Sequence, residues 1–103
     1  MSAAATGKVQ NIINENGVVV FSKSYCPYCR ASKDLLNQLG AKYYALELDQ
    51  IEDGSDIQSA LASLTSQRTV PNIFINKVHI GGNSDLQAKK SQLRGLLEEA
   101  GAV

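Results

Sequence analysis

The sequence lacks an excess of charge of either sign, and it lacks a long apolar segment. Ten basic residues balance ten acidic ones, so the formal net charge is zero. Because binding to nucleic acid or to an anionic membrane surface needs a basic face, this composition argues against both kinds of partner. The longest wholly apolar run, residues 18–21, is far too short to span a bilayer. The first residues also lack the basic start and apolar segment of a secretory signal. We therefore expect a cytoplasmic protein that has no membrane or nucleic-acid partner.

Cysteine and histidine are also scarce, with two cysteines and one histidine in 103 residues. A closed zinc site needs four ligands, so these residues cannot complete one and we expect no metal site. In the reducing cytoplasm a pair of cysteines does not persist as a structural disulfide. Two interpretations remain: Cys26 and Cys29 form a redox pair, or they are core residues that happen to lie three positions apart.

The apolar pattern predicts one domain, residues 1–103, of the α/β class. With 44% hydrophobic residues the chain can bury a modest core. The predicted order is helix, strand, helix, strand, helix, strand, strand and helix. Gly17 is expected to end the first helix in a left-handed conformation. Residues 18–21 predict a strand covered on both faces, parallel to a strand at 43–48. This order gives a small mixed four-stranded sheet flanked by helices.

The second half of the chain predicts a helix, a hairpin and a last helical region. The helix opens at residues 53–56 and buries Ile57, Leu61 and Leu64, which share one face. A hairpin turns at residues 76–77. Either Ser84 or Asp85 caps the last helical region, which polar residues 89–91 loosen midway.

The cysteine pair lies where a buried strand meets a helix. Pro27 suits the first position of a helix, so Cys26 stands at its amino end, where free N–H groups and the helix dipole favour a thiolate. Lys23 adds positive charge nearby. Cys29 lies about one turn further along the same face and can reach the sulfur of Cys26. We therefore expect Cys26 to attack a disulfide and Cys29, kept neutral by burial, to resolve the product.

Three segments together resemble one known family. Residues 23–29, Lys-Ser-Tyr-Cys-Pro-Tyr-Cys, resemble the active site of the dithiol glutaredoxins. Residues 69–71, Thr-Val-Pro, resemble that family's cis-proline loop, and residues 81–85, Gly-Gly-Asn-Ser-Asp, its glycine-pair motif. The resemblance extends from about residue 8 to about residue 98. It implies a thioredoxin-like fold and a glutathione-dependent thiol–disulfide oxidoreductase with two routes. Glutathione mixed disulfides would be reduced through Cys26 alone, and protein disulfides through Cys26 and Cys29.

The resemblance also implies how glutathione would be held. Val70–Pro71 would be a cis peptide, and the backbone of Val70, beside Thr69, would pair with the cysteinyl backbone of glutathione. Tyr28 would line the groove beside the sulfur. Ser84 and Asp85 would hold the γ-glutamyl end.

The glycyl carboxylate of glutathione would be bound by Lys23 and Gln58, and Arg68 could help. Each of these residues has a simpler interpretation. Lys23 and Gln58 would ordinarily be solvated surface residues, and Ser84 and Asp85 would ordinarily be helix caps. His79 is expected to be structural rather than catalytic, because no partner lies near it in sequence.

Two features distinguish this chain from related proteins. Asn83 stands where several relatives carry a third cysteine. The chain has no tryptophan, whereas thioredoxins place tryptophan before the first cysteine, and this favours glutathione as the electron donor.

Two alternative functions are disfavoured. Some relatives hold a [2Fe–2S] cluster between two subunits, but the stiff ring of Pro27 disfavours such a cluster here. An inactive adaptor is disfavoured because every expected catalytic position is filled. We thus expect a monomer with glutathione and glutathionylated or disulfide-bonded proteins as partners, and no tightly bound cofactor.

Overall fold

The computed structural model describes residues 2–103. Its helices are α1 (Ala3–Glu15), α2 (Pro27–Gln38), α3 (Gly54–Thr65), α4 (Asn83–Ala88) and α5 (Leu93–Glu99). Its strands are β1 (Val18–Ser22), β2 (Tyr44–Glu47), β3 (Asn72–Ile75) and β4 (Val78–Gly81). Short 3-10 helices follow β2 at Leu48–Gln50 and precede α5 at Lys90–Gln92. None of the helices within residues 2–103 combines the length and the apolar character needed to cross a membrane.

The strands form one mixed sheet of four strands in the order β2-β1-β3-β4. Strand β1 runs parallel to β2 and antiparallel to β3, and β3 pairs antiparallel with β4. The β3–β4 turn has left-handed backbone angles at Asn76 (φ 52°) and Lys77 (φ 67°). Positive φ at both positions matches the twist of a two-residue hairpin. The predicted parallel pair, hairpin and mixed sheet are confirmed.

The central strand β1 is buried along its whole length. Val19 and Phe21 belong to the core cluster that α1 and α3 cover. Val18 and Val20 belong to a second cluster, on the opposite face, which also includes residues of α2, α4 and α5. Because successive side chains of a strand point to opposite faces, one apolar run serves both clusters. The prediction of a strand covered on both faces is confirmed.

The prediction for Gly17 is wrong. Helix α1 ends at Glu15, and its cap Asn16 is extended at φ −129° rather than left-handed. A Cβ on Gly17 would lie 2.5 Å from the carbonyl oxygen of Ala100. This position therefore needs glycine because the chain end after α5 packs against its backbone, a contact between residues far apart in sequence.

Two further expectations about helices need correction. Ile57 and Leu61 are buried as predicted, whereas Leu64 is 43% exposed. Leu64 lies in the last turn of α3, whose buried residues are Gly54, Ile57, Ala60 and Leu61. The last helical region is broken midway, as expected, but Gly82 is its N-cap instead of Ser84 or Asp85.

Candidate active site

The loop between β1 and α2 presents Cys26 at the amino end of α2. Cys26 is the N-cap with an extended backbone (φ −88°, ψ 117°), and Pro27 is the first helical residue. The loop before it is tied to the 3-10 helix after β2, because the backbone N–H and the hydroxyl of Ser24 both donate to Asp49. These two hydrogen bonds, the hydroxyl first, hold the pKa of Asp49 below its usual value. The position of Cys26 is thus fixed by the Ser24–Asp49 hydrogen bonds before it and by helix α2 after it.

Cys26 is partly exposed, and its sulfur contacts two backbone groups. It accepts a hydrogen bond from the N–H of Cys29 at 3.2 Å. Its thiol also points at the carbonyl oxygen of Val70, 3.9 Å away. A donor aimed at the sulfur stabilises negative charge there, which agrees with the predicted nucleophile.

Cys29 has the opposite environment, since its side chain is fully buried. Burial raises the pKa of its thiol to about 11, and the Cys26 side chain adds to the rise. Hydrogen bonds from the Lys23 backbone and the Ser22 side chain act in the other direction. Both cysteines are free thiols. Cys29 is therefore a neutral thiol at physiological pH, as its expected burial implied.

A groove of about 590 Å³ lies against Val70, whose carbonyl oxygen is near the Cys26 sulfur, and we call it the Val70 groove. It joins three segments far apart in sequence, and Val70–Pro71 in its wall is a cis peptide bond, as expected. The groove is lined by Tyr28, Gln67, Thr69, Val70, Pro71, Gly82, Asn83, Ser84 and Asp85. Most of the predicted binding residues therefore meet around one cavity.

The acidic end of this groove is built on the first turn of α4. Asp85 Oδ2 accepts a hydrogen bond from the N–H of Gly82 at 2.9 Å, so this carboxylate caps its own helix. Gly81 has φ +120°, and a Cβ there would lie 2.3 Å from Asp85 Oδ2. Gly81 is thus required for the chain to turn tightly beneath the carboxylate.

Cys26 lines a separate, smaller pocket of about 280 Å³, together with Ser24, Tyr25, Pro27 and Arg30. Tyr25 and Tyr28, which lie on either side of Cys26 in sequence, are 71% and 68% exposed. Exposed aromatic side chains therefore border Cys26.

Comparison with known proteins decides the family. The family model described as Glutaredoxin matches residues 18–80. The chain is 58% identical over 101 residues to a glutaredoxin of Ricinus communis, covering 96% of this chain and 99% of that one. It is 57% identical over 102 residues to Glutaredoxin-C2 of Arabidopsis thaliana, covering 96% and 91%. A crystal structure of a buckwheat glutaredoxin–glutathione complex superposes with a TM-score of 0.94 at 48% identity, covering 97% and 93%.

The chain belongs to the glutaredoxin family. Members of this family are glutathione-dependent thiol–disulfide oxidoreductases, and this protein is one of them. The structural likeness also confirms the thioredoxin-like fold. Cys26 and Cys29 lie close together at the start of α2, which is consistent with a dithiol glutaredoxin.

Three residues predicted to bind glutathione lie outside the Val70 groove. Gln58 and Arg68 line a separate pocket of about 260 Å³, where Gln58 Nε2 donates to the Arg68 carbonyl at 3.0 Å. Lys23 lies close enough to Asp49 to lower the pKa of that carboxyl. The structure thus brings Gln58 and Arg68 together, but not around the groove that holds the other predicted residues.

Sequence reasoning missed Gln67, which braces the wall of the Val70 groove. Its Nε2 donates to the carbonyl oxygens of Thr69 at 3.1 Å and of Pro71 at 2.9 Å, on either side of Val70. No sequence motif includes Gln67, and its closeness to residues 69–71 along the chain is the one signal that could have suggested it.

Asn83 was noted in the sequence only as a departure from relatives. In the structure it accepts hydrogen bonds from Ser32 at 2.9 Å and from Gln87 at 3.2 Å.

His79 has partners that explain it structurally. Its Nε2 lies 2.9 Å from Oδ1 of the buried Asn72, and its ring packs on Phe74 with centroids 5.1 Å apart. Burial lowers the pKa of His79, and the charge of Asp85 opposes this. Within residues 2–103 there is no group of three or more histidine, cysteine, aspartate or glutamate side chains placed to hold a metal ion.

Proposed function

We propose that this glutaredoxin removes glutathione from mixed disulfides through Cys26 alone, and reduces protein disulfides through Cys26 and Cys29. The observation that carries the proposal is the placement of the Cys26 sulfur. It is partly exposed, receives the Cys29 N–H at 3.2 Å, and lies 3.9 Å from a carbonyl in the wall of the Val70 groove. A nucleophilic sulfur beside a cavity of tripeptide size is what transfer of a glutathionyl group requires.

In the monothiol route the Cys26 thiolate attacks the glutathione sulfur of a mixed disulfide. A bond forms between Cys26 and glutathione, and the substrate thiolate leaves with the electron pair and takes up a proton. A second glutathione thiolate then attacks the glutathione sulfur bound to Cys26. Glutathione disulfide is released, and Cys26 leaves as a thiolate ready for the next cycle.

In the dithiol route Cys26 attacks a protein disulfide, and Cys29 then attacks Cys26. The Cys26–Cys29 disulfide forms and the reduced substrate leaves. Two molecules of glutathione afterwards reduce the intramolecular disulfide. The exposed Tyr25 gives this route an aromatic surface on which a protein substrate can rest.

We assign the Val70 groove to glutathione. The N–H and C=O of Val70 pair with its cysteinyl backbone, while Tyr28, Thr69 and Pro71 shape the walls. At the γ-glutamyl end, backbone N–H groups of Ser84 and Asp85 in the first turn of α4 meet the α-carboxylate. Asp85 Oδ2 is occupied by the Gly82 N–H, so Oδ1 is the oxygen that meets the ammonium group.

The glycyl carboxylate is assigned to the positive charges of Lys23 and Arg68, with Gln58 as a neutral donor. Gln58 Nε2 already donates to the Arg68 backbone, which fixes the two residues relative to each other. Replacement of Lys23 or Arg68 by methionine is expected to raise the KM for a glutathione mixed disulfide while leaving kcat closer to its wild-type value.

The proposal extends to the setting of the activity. The protein works as a monomer in the cytoplasm on glutathionylated and disulfide-bonded proteins, with glutathione as a co-substrate and without a resident cofactor. Size-exclusion chromatography with light scattering tests the monomer, and a tagged copy followed in cells tests the location. Incubation of a glutathionylated protein with enzyme and glutathione, followed by intact-mass measurement, tests deglutathionylation directly.

The deciding experiment is the coupled assay with a small glutathione mixed disulfide, glutathione, glutathione reductase and NADPH. Wild type is expected to turn over, Cys26→Ser to lose turnover, and Cys29→Ser to keep it. Absence of turnover by folded, reduced wild type would refute the proposal. Loss of turnover in Cys29→Ser would refute the assignment of Cys29 as a resolving residue that the monothiol route does not need.

A further inference from the structure

The side chain of Asn83 joins two helices, and the reaction described so far does not use it. Asn83 is the first residue of α4 and lines the Val70 groove. Its Oδ1 accepts a hydrogen bond from the hydroxyl of Ser32 on α2 at 2.9 Å, and a second from Nε2 of Gln87, one turn further along α4, at 3.2 Å. Within residues 2–103 the Ser32–Asn83 contact is the one side-chain hydrogen bond that joins α2 to α4. Asn83 therefore connects the helix that begins at the cysteine pair to the wall of the groove.

The Ser32 end of this contact is anchored in the core. Ser32 is fully buried and lies three residues after Cys29, on the same face of α2. A buried hydroxyl needs a hydrogen-bond partner, and Asn83 supplies it. Leu36 of α2 and Leu86 of α4 belong to one core cluster, so apolar packing already attaches α4 to this side of the sheet. The hydrogen bond therefore serves to fix how the first turn of α4 is placed against α2.

The Asn83 end of the contact belongs to a segment that needs such a restraint. Helix α4 has six residues and follows two glycines, Gly81 and Gly82. A helix of this length is not stable by itself, and glycine leaves the backbone before it free to turn. The bond from the Gly82 N–H to Asp85 stays within the same segment, so it does not tie the segment to the rest of the protein. The placement of this first turn thus depends on contacts with other elements.

We propose that Asn83 is a positioning residue that sets the distance, across the Val70 groove, between Cys26 and the γ-glutamyl end of glutathione. The inference rests on the proposed function, in which the glutathione sulfur meets Cys26 while the γ-glutamyl group meets the first turn of α4. One substrate must reach both places at once, so the separation of the two helix starts determines how well it binds. The residues that line the groove do not include Ser32, so Ser32 acts on the substrate through Asn83.

Rapid mixing of reduced enzyme with an aromatic mixed disulfide of glutathione tests this in a single turnover. The Cys26 thiolate attacks the glutathione sulfur, a bond forms between the two sulfurs, and the coloured aromatic thiolate leaves with the electron pair. The matched substrate is the same aromatic disulfide of cysteinylglycine, which lacks the γ-glutamyl group. For Ser32→Ala and for Asn83→Ala we expect the half-saturating concentration of the glutathione substrate to rise about fivefold, the effect of one hydrogen bond, while the limiting rate stays near that of wild type. With the cysteinylglycine substrate both variants should match wild type.

A double variant separates positioning from direct contact. If Asn83 acts through its hydrogen bond with Ser32, Ser32→Ala/Asn83→Ala should show the same rise of about fivefold as either single variant, rather than the product of the two, about 25-fold. The controls Ser63→Ala and Asn11→Ala remove the same two kinds of side chain from exposed positions on α3 and α1, and should leave both substrates unaffected. Urea unfolding of each variant shows whether it folds, and Ser32→Ala carries the test if Asn83→Ala does not.

The inference is overturned if folded Ser32→Ala keeps the wild-type half-saturating concentration for the glutathione substrate. It is also overturned if the two single effects multiply in the double variant, or if both substrates lose equally, since the second result is a general structural effect. Failure of the proposed function looks different. In that case wild type itself shows no turnover in the coupled assay, or reacts equally well with the two aromatic substrates before any variant is compared.

Discussion

The buried thiol makes a quantitative prediction about stability at alkaline pH. Burial is the largest cause that raises the pKa of Cys29 from 9.0 to about 11, and unfolding exposes the thiol to water. The folded protein therefore keeps a proton that the unfolded chain loses above pH 9.0. The stabilising contribution is complete below pH 9.0, declines as the pH rises, and is lost as the pH passes about 11. With about 1.4 kcal/mol per pKa unit, the loss attributable to this group is about 1 kcal/mol by pH 10 and approaches 3 kcal/mol beyond pH 11.

The assay compares two variants so that every other alkaline titration cancels. Cys26→Ser retains the buried Cys29 without allowing a disulfide, and Cys26→Ser/Cys29→Ala lacks the titrating thiol. Urea unfolding of both at pH 8, 9 and 10 gives the free energy of unfolding of each. We expect the difference in that free energy to shift by about 1 kcal/mol between pH 8 and pH 10, against the variant that keeps Cys29. If the two curves fall in parallel, Cys29 does not have a raised pKa in the folded protein.

Three further changes test other parts of the structure. Gly17→Ala should lower the melting temperature because its Cβ would lie 2.5 Å from a carbonyl oxygen; the control Gly95→Ala, whose Cβ would meet no described atom within 4 Å, should instead raise stability by about 0.5–1 kcal/mol. Equal effects of both on urea unfolding would contradict the close approach. Gln67→Met should raise the KM for a glutathione mixed disulfide about fivefold, because two hydrogen bonds that brace the Val70 groove are lost; an unaltered KM in the coupled assay would contradict that role. Because the pKa of His79 is lowered, its stabilising contribution is present above pH 6.5 and is lost as the pH falls below that value, so urea unfolding of His79→Gln should vary less between pH 7 and pH 5 than that of wild type. An equal acid sensitivity of the two proteins would refute this.

The parts of the fold that the sequence predicted depend on local patterns. The apolar run at 18–21 predicted a buried central strand, and Pro27 after Cys26 predicted a helix start. Both features need only a few neighbouring residues to specify them. The turn at 76–77 was also found, although asparagine followed by lysine is a weaker turn signal than asparagine followed by glycine.

The features that escaped prediction depend on contacts between distant residues. Gly17 resembles a helix terminator in the sequence, but glycine is needed there because a Cβ would lie too close to the carbonyl oxygen of Ala100. Gln67 belongs to no sequence motif, and its role is visible only in the structure, where its side-chain amide donates to the carbonyl oxygens of Thr69 and Pro71. The Ser22–Glu47 contact joins two strand ends 25 positions apart, and no periodicity in either strand points to it.

The two cysteines have different environments because Cys26 lies outside helix α2 and Cys29 lies within its first turn. Cys26 stands outside the helix with an extended backbone, so its sulfur remains partly exposed beside the Val70 groove. Cys29 is inside the first turn, so its side chain is directed back onto β1 and is fully buried. In the proposed mechanism the partly exposed Cys26 meets the substrate directly, whereas Cys29 acts from the interior. The proposed monothiol route therefore depends on which substrates the groove accepts, and the proposed dithiol route also requires Cys29 to reach the Cys26 sulfur and lose its proton.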